Sequence, residues 1–175
     1  LRVVDDHGAD GVRHRRGPGR PVSDPDADGE GPHGSDGRVR VGIDLAAVAE
    51  VADSIARYGD RYLRRIFTPA EVADCAGAPD VRAARLAARF AAKEAVLKVL
   101  RPTVDVPAWT EIEVRRTPDG WCRLELHGSA ARIATEAGLD GWSVSLTHET
   151  AVAAAVAMAI VRAGAATGCG GSDGW

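Results

Sequence analysis

Arg89-Phe90-Ala91-Ala92-Lys93-Glu94-Ala95-Val96-Leu97-Lys98 sets strong helix formers around four ionisable side chains at helical spacing. Glu94 and Lys98 are four apart and share one helix face. Arg89 and Lys93 are also four apart and form a neighbouring stripe. The stretch is the second half of a long predicted helix. Asp80 is its expected N-cap, and it ends near Leu100, before Pro102. Leu86, Phe90 and Leu97 mark its expected buried face. The chain has twenty arginines and two lysines, and both lysines fall inside this stretch. Where arginine is the default cation, a retained lysine points to a need for that side chain. A carboxylate beside convergent cations suits a metal–phosphate site: Mg²⁺ takes carboxylate, phosphate and water oxygens, and lysine and arginine neutralise the remaining charge. The same residues also read as a solvated helix with an ordinary Glu–Lys pair worth about 0.3 kcal/mol.

Outward from this helix the chain reads as mixed α/β. Val39 to Leu45 alternates with β-branched residues and predicts a strand ending at Asp44. Val48, Val51 and Ile55 give a helix over 46–58, and Arg61 to Phe67 continues it or forms a second short one. Thr68-Pro69-Ala70-Glu71 is a capping-box helix start with proline at the first helical position, and that helix should stop near Gly77. Glu111–Arg116 and Trp121–His127 alternate around Pro118-Asp119-Gly120 and predict a hairpin. Ser129 starts a helix that Gly138 ends. Trp142–His148 and Ala151–Val161 read as strands, although the second is alanine-rich enough to be helix by periodicity alone.

Composition bounds the function. Apolar residues make up 45% of the chain, too many for full disorder. The longest apolar run, Ala151 to Val161, is about half a membrane span. Residues 1–38 hold eight Gly and four Pro and predict a disordered N-terminal arm, with His7, His14 and His33 at irregular spacing. Residues 163–175 predict a flexible tail. Residues 39–162 form the single expected domain, with sixteen acidic and sixteen basic side chains. That balance argues against a nucleic-acid-binding surface, despite Arg82, Arg85, Arg89 and the arginines of 61–65. Cys75, Cys122 and Cys169 are odd in number and far apart, which excludes a disulfide framework and suits the reducing cytoplasm. No secretion leader is expected.

Two other places could carry chemistry. Asp44 ends an apolar strand, where α/β proteins place functional groups, but it also suits a helix N-cap. His148 closes Ser143-Val144-Ser145-Leu146-Thr147-His148-Glu149. It could bond a phosphate, a base or a serine, or simply be capped in a turn. A Ser/His hydrolase lacks its GxSxG elbow here, and GxGxxG, Walker and HExxH motifs are absent from the sequence.

Taken in order, Gly42-Ile43-Asp44, Phe67-Thr68-Pro69-Ala70-Glu71, the 89–98 stretch and Ser145-Leu146-Thr147-His148-Glu149 resemble the 4′-phosphopantetheinyl transferases, most closely the short holo-[acyl-carrier-protein] synthase type. The resemblance covers about residues 39–162. It implies a ferredoxin-like α+β fold, homotrimers with active sites between subunits, and an Mg²⁺-dependent enzyme. The implied reaction moves 4′-phosphopantetheine from coenzyme A to a serine of an apo acyl carrier protein and releases adenosine 3′,5′-bisphosphate. By position, Asp44 and Glu94 would hold Mg²⁺, and Lys98 would contact the transferred phosphate. Arg89 would contact the nucleotide, with Lys93 beside it among the cations facing the coenzyme. Pro118, Asp119 and Gly120 match a Pro-Asn-Gly turn near the adenine, and Thr147 and His148 match the pair at the nucleotide phosphates. The sequence departs from the pattern at Ala47 (usually Glu), Glu50 (usually an arginine that grips the carrier), Asp119 (usually Asn) and Leu100-Arg101-Pro102-Thr103 (usually a glycine-containing turn). These changes point as much to a secondary-metabolite carrier as to the fatty-acid one. They also keep open a non-catalytic relative that binds coenzyme A or a carrier.

Overall fold

The elements follow in the order β1 (Arg38–Ala47), α1 (Val48–Tyr58), α2 (Asp60–Ile66), α3 (Pro69–Asp74), α4 (Pro79–Leu100), β2 (Ile112–Arg116), β3 (Cys122–Leu126), α5 (Gly128–Glu136), β4 (Leu139–His148) and β5 (Val152–Val161). They come from a computed structural model that describes residues 38–162. The arms expected over 1–38 and 163–175, with His7, His14, His33 and Cys169, lie outside the described residues, except for Arg38, which begins β1.

A three-stranded antiparallel sheet in the order β1-β5-β4 carries α4 across one face, and β2 and β3 form a separate hairpin. The ambiguous alanine-rich segment is a strand, β5. Its Ala153, Ala155, Ala157 and Ala159 are buried against α4, itself lined with alanines at 83, 84, 87, 88, 91, 92 and 95. Small side chains on both surfaces bring helix and sheet unusually close. A Cβ at Gly42 would lie 2.1 Å from the Ala95 carbonyl oxygen, which explains glycine at this point of β1.

This close packing decides which face of β1 is buried. Gly42 and Ala46 are buried under α4, and Arg40 and Asp44 are partly covered on the same face. Val39, Val41, Ile43 and Leu45 face outward and are each 49–64% exposed. Register carries the outward face onto Val156, Met158 and Ile160 of β5, and onto Ser143, Ser145 and Thr147 of β4. β1 thus points its large aliphatic side chains away from its own core. It also lies at the edge of the sheet.

Several expected boundaries move. β1 runs past Asp44 to Ala47, and Ala47 is the N-cap of α1, with no side-chain cap bond. Asp80 lies in the first turn of α4; the cap is Ala78, and Pro79 takes the first position. Of the three residues expected to mark the buried face of α4, Leu86 is fully buried. Phe90 and Leu97 are partly covered, Phe90 packing on Trp109 at 5.2 Å between ring centroids. The alanines carry the main contact.

Candidate active site

Asp44 is on the helix-facing side of β1, opposite Ala155. Lys98 reaches across from α4 and donates to Asp44 Oδ1 at 2.7 Å and to the Ile43 carbonyl at 2.7 Å. Because α1 is capped elsewhere, Asp44 is not a helix cap. Glu94, one turn before Lys98, has its carboxyl pushed up by burial and by the negative charge of Asp44, with Lys98 pulling the other way. Two carboxylates and one ammonium therefore share a partly open corner between β1 and α4. The Asp44 charge disfavours that of Glu94, a tension that a cation beside them relieves.

A second cluster lies around a pocket of about 270 Å³ lined by Arg85, Arg89, Arg116 and His148, with Gly120 at its rim. Arg89 is 5% exposed; its Nε donates to the Val114 carbonyl at 3.1 Å, and Nη2 lies 3.8 Å from Asp74. Burial opposes the charge of Asp74. Hydrogen bonds from Arg115 and the Arg116 amide nevertheless hold its carboxyl below the ordinary range, with the charges of Arg115 and Arg89 adding to them. With Asp74 so engaged, the remaining cations suit a polyanion. Gly120 has φ of 90° and closes the Thr117–Trp121 turn, which explains glycine there. Pro118 and Asp119 are exposed beside it. His148 shares the inner face of β4, while Thr147 lies on the outer face, away from this pocket.

These two clusters lie on opposite sides of α4. Arg89 and Lys98 are nine residues apart, which is about 13 Å along the axis and two and a half turns. The sequence stretch that reads as one convergent set is therefore two sets.

Lys93 belongs to neither, a correction to its expected place among the coenzyme-facing cations. It is fully buried and donates to Glu71 Oε2 at 2.9 Å, to the Trp109 carbonyl at 2.8 Å and to the Ile112 carbonyl. Glu71 is equally buried. Its Oε2 also accepts from the Thr68 amide, completing the capping box of α3, and its Oε1 accepts from the Val114 amide. This network ties α3, α4 and β2 together. Cys75 is buried close by, its thiol pushed up to about 11 chiefly by burial.

Sequence reasoning did not anticipate the grouping of Glu113, Glu125 and His127, whose ligand atoms lie within 4.8 Å of one another. Glu113 is already engaged by Thr68 at 2.8 Å, His127 at 3.0 Å and Arg115 at 3.7 Å, so the trio is a hydrogen-bonded corner of the hairpin. In the sequence Arg85 reads only as general positive charge and Arg116 only as the end of a strand. Their place in the pocket depends on the hairpin folding back over α3.

Residues 40–157 match the sequence profile of the 4′-phosphopantetheinyl transferase superfamily. The chain belongs to that superfamily. It is 45% identical over 120 residues to the holo-[acyl-carrier-protein] synthase of Moorella thermoacetica, covering 69% of this chain and 92% of the relative. It is 43% identical over 132 residues to that of Chloroflexus aurantiacus, covering 67% and 96%. Among solved structures it resembles the ACPS–CoA complex of Chronobacterium ammoniagenes, with TM-score 0.62 and 28% identity over 72% of this chain and 98% of that one. It also resembles the acyl carrier protein synthase of Mycobacterium tuberculosis, with TM-score 0.53 and 35% identity over 72% and 97%. The mixed α/β fold expected from the sequence is therefore that of this superfamily. No described helix is long and apolar enough to cross a membrane.

Proposed function

We propose that this chain is a holo-[acyl-carrier-protein] synthase that transfers the 4′-phosphopantetheine group of coenzyme A to a serine of an apo acyl carrier protein. The observation that carries the reading is the meeting of Asp44, Glu94 and Lys98 at one corner of a chain from this superfamily. The serine oxygen forms a bond to the phosphorus bearing pantetheine, and the bond from that phosphorus to adenosine 3′,5′-bisphosphate breaks. The serine proton leaves. Asp44 and Glu94 offer hard oxygen donors under mutual repulsion, a set that fits Mg²⁺. Bound there, the ion would offset charge on the pyrophosphate and the leaving group. Lys98 stabilises the charge that develops on the phosphoryl oxygens. Arg89 and His148, with Gly120 and now Arg85 and Arg116, receive the nucleotide end.

A single coenzyme A must touch both sets of residues, yet they occupy opposite sides of α4. The arrangement is resolved if the nucleotide pocket of one copy meets the Asp44 corner of another. The exposed aliphatic face of β1 and β5 supports such packing, and we assign a homotrimer with shared sites. Arg57, Arg61, Arg64 and Arg65 are exposed on α1 and α2 and suit an acidic carrier. Glu50 on the same run favours a dedicated secondary-metabolite carrier alongside the fatty-acid one. The reducing cytoplasm fits Cys75 and Cys122, which are free thiols.

The test is intact-protein mass spectrometry of a fatty-acid, a polyketide and a peptidyl carrier protein, each incubated with this protein, coenzyme A and Mg²⁺. A gain of one phosphopantetheine, lost with EDTA, is expected on at least one carrier. Asp44→Ala and Glu94→Ala should each abolish it. Retained transfer in both variants would overturn the metal assignment. Coenzyme A binding without transfer to any carrier would mean a non-catalytic relative.

A further inference from the structure

Arg101 stands out on backbone grounds alone. It closes α4 with φ of 53° and ψ of 56°, and it is the one non-glycine with positive φ among the described residues. The left-handed cap position is ordinarily glycine, which bears no Cβ to clash. A side chain held there against that preference points to a use for it. Arg101 lines a cleft of about 440 Å³, within the range of small-molecule sites. Leu100 and Ile133 give the cleft an apolar floor, and Arg40 and Arg132 add positive charge.

The cleft is lined in part from the same two elements, β1 and the end of α4, that carry Asp44 and Lys98. Arg40 lies on the same face of β1 as Asp44, four residues or about 13 Å along the strand. Arg101 follows Lys98 by three residues on α4. A pantetheine arm has thirteen bonds from phosphorus to sulfur, the span of four to five extended residues, roughly 16 Å. An arm whose phosphate lies at Lys98 can therefore end in this cleft, with room for a group on its sulfur.

The charges there are unevenly used. Glu136 accepts from Arg132 Nη1 at 3.0 and 3.1 Å, and Arg40 donates to the Val99 carbonyl at 3.3 Å. Asp105 lines the cleft too, but neither it nor Arg101 forms an ion pair among the described residues. Arg101 is thus a cation held at the mouth of the cleft with no fixed partner.

We propose that this cleft receives the acyl end of an acylated arm and that Arg101 selects acyl groups ending in a carboxylate. The inference rests on the transferase reading above. The reaction is the same phosphoryl transfer: the serine oxygen–phosphorus bond forms, the bond to adenosine 3′,5′-bisphosphate breaks, and the thioester is carried across intact.

The test compares succinyl- with butyryl-coenzyme A, four-carbon acyl groups that differ by the terminal carboxylate. Transfer by the full chain to an apo carrier protein is followed by intact mass, with coenzyme A as the control. The expected kcat/KM ratio is at least fivefold in favour of succinyl. Arg101→Gly should bring that ratio to about one while leaving Tm unchanged or higher, because glycine suits the backbone. Asp105→Asn, which removes a competing carboxylate, should raise the ratio. A wild-type ratio near one, or a ratio that Arg101→Gly leaves unchanged, would overturn the proposal. Failure to transfer from coenzyme A itself would instead overturn the transferase reading.

Discussion

Gly42 and Lys93 place opposite demands on the same helix. Any side chain at Gly42 meets the Ala95 carbonyl, so Gly42→Ala must push α4 off the sheet. A loss of about 1–3 kcal/mol is expected by thermal or urea denaturation, with activity falling further because Lys98 moves with the helix. Lys93 presents the reverse case, a charge already enclosed. Burial pulls its ammonium below the ordinary lysine range, and the Glu71 carboxylate partly restores it. Lys93→Met would leave Glu71 charged, buried and unpaired, a cost of about 3–5 kcal/mol. The double variant Lys93→Met/Glu71→Gln should recover only part of that loss in the same measurement, because the new NH2 group faces the N–H of Thr68 or Val114. The sequence singles out Asp44, Glu94 and Lys98 by an i,i+4 pair and a strand-borne carboxylate, and the structure brings Asp44 and Lys98 together with Glu94 one turn away; the roles assigned to them rest on the family resemblance. The sequence did not disclose Lys93. The capping box accounts for one oxygen of Glu71, and nothing local shows that the carboxylate also serves a lysine 22 residues away.

Element by element, the predicted helices and strands are those of the structure, with shifts at their ends. What periodicity could not supply was the sidedness. Alternation in β1 reads equally with either face inward, and only the alanine surfaces of β5 and α4 settle it. The nine-residue spacing from Arg89 to Lys98 is two and a half turns, which sets the two cations on opposite sides of α4. The α3–hairpin unit carries its own prediction. The carboxyls of Asp74 and Glu113 both lie below their ordinary values of 3.8 and 4.5. Burial opposes this in each. The hydrogen bonds from Arg115 and Arg116 to Asp74, and from Thr68 and His127 to Glu113, prevail. A depressed carboxyl adds stability that is present above its unfolded-state value and lost as pH falls through its folded-state value. Tm should therefore be level above about pH 5 and decline below about pH 4. Asp74→Asn should flatten that decline while lowering Tm at pH 7, as calorimetry across the range will show.

For the whole molecule, the two-sided placement of the site residues makes a sharp demand on assembly. A mass near three times 18.3 kDa is expected in light scattering. Val41→Asp, on the exposed aliphatic face, should reduce it to one chain and abolish transfer. The proposed shared sites predict rescue between inactive copies. In mixed trimers of Arg89→Ala and Glu94→Ala chains some sites would be intact on both sides. Co-refolded mixtures should regain at least a tenth of wild-type activity, whereas either variant alone should not. The outward face of β1 has a further consequence for a chain not yet assembled. A ten-residue strand at a sheet edge, with valine, isoleucine and leucine alternating along it, is a template for amyloid-like pairing. Lys98 blunts that edge at one carbonyl, that of Ile43. Newly made protein therefore faces a race between productive association and precipitation, and slow synthesis at low temperature should raise the soluble yield.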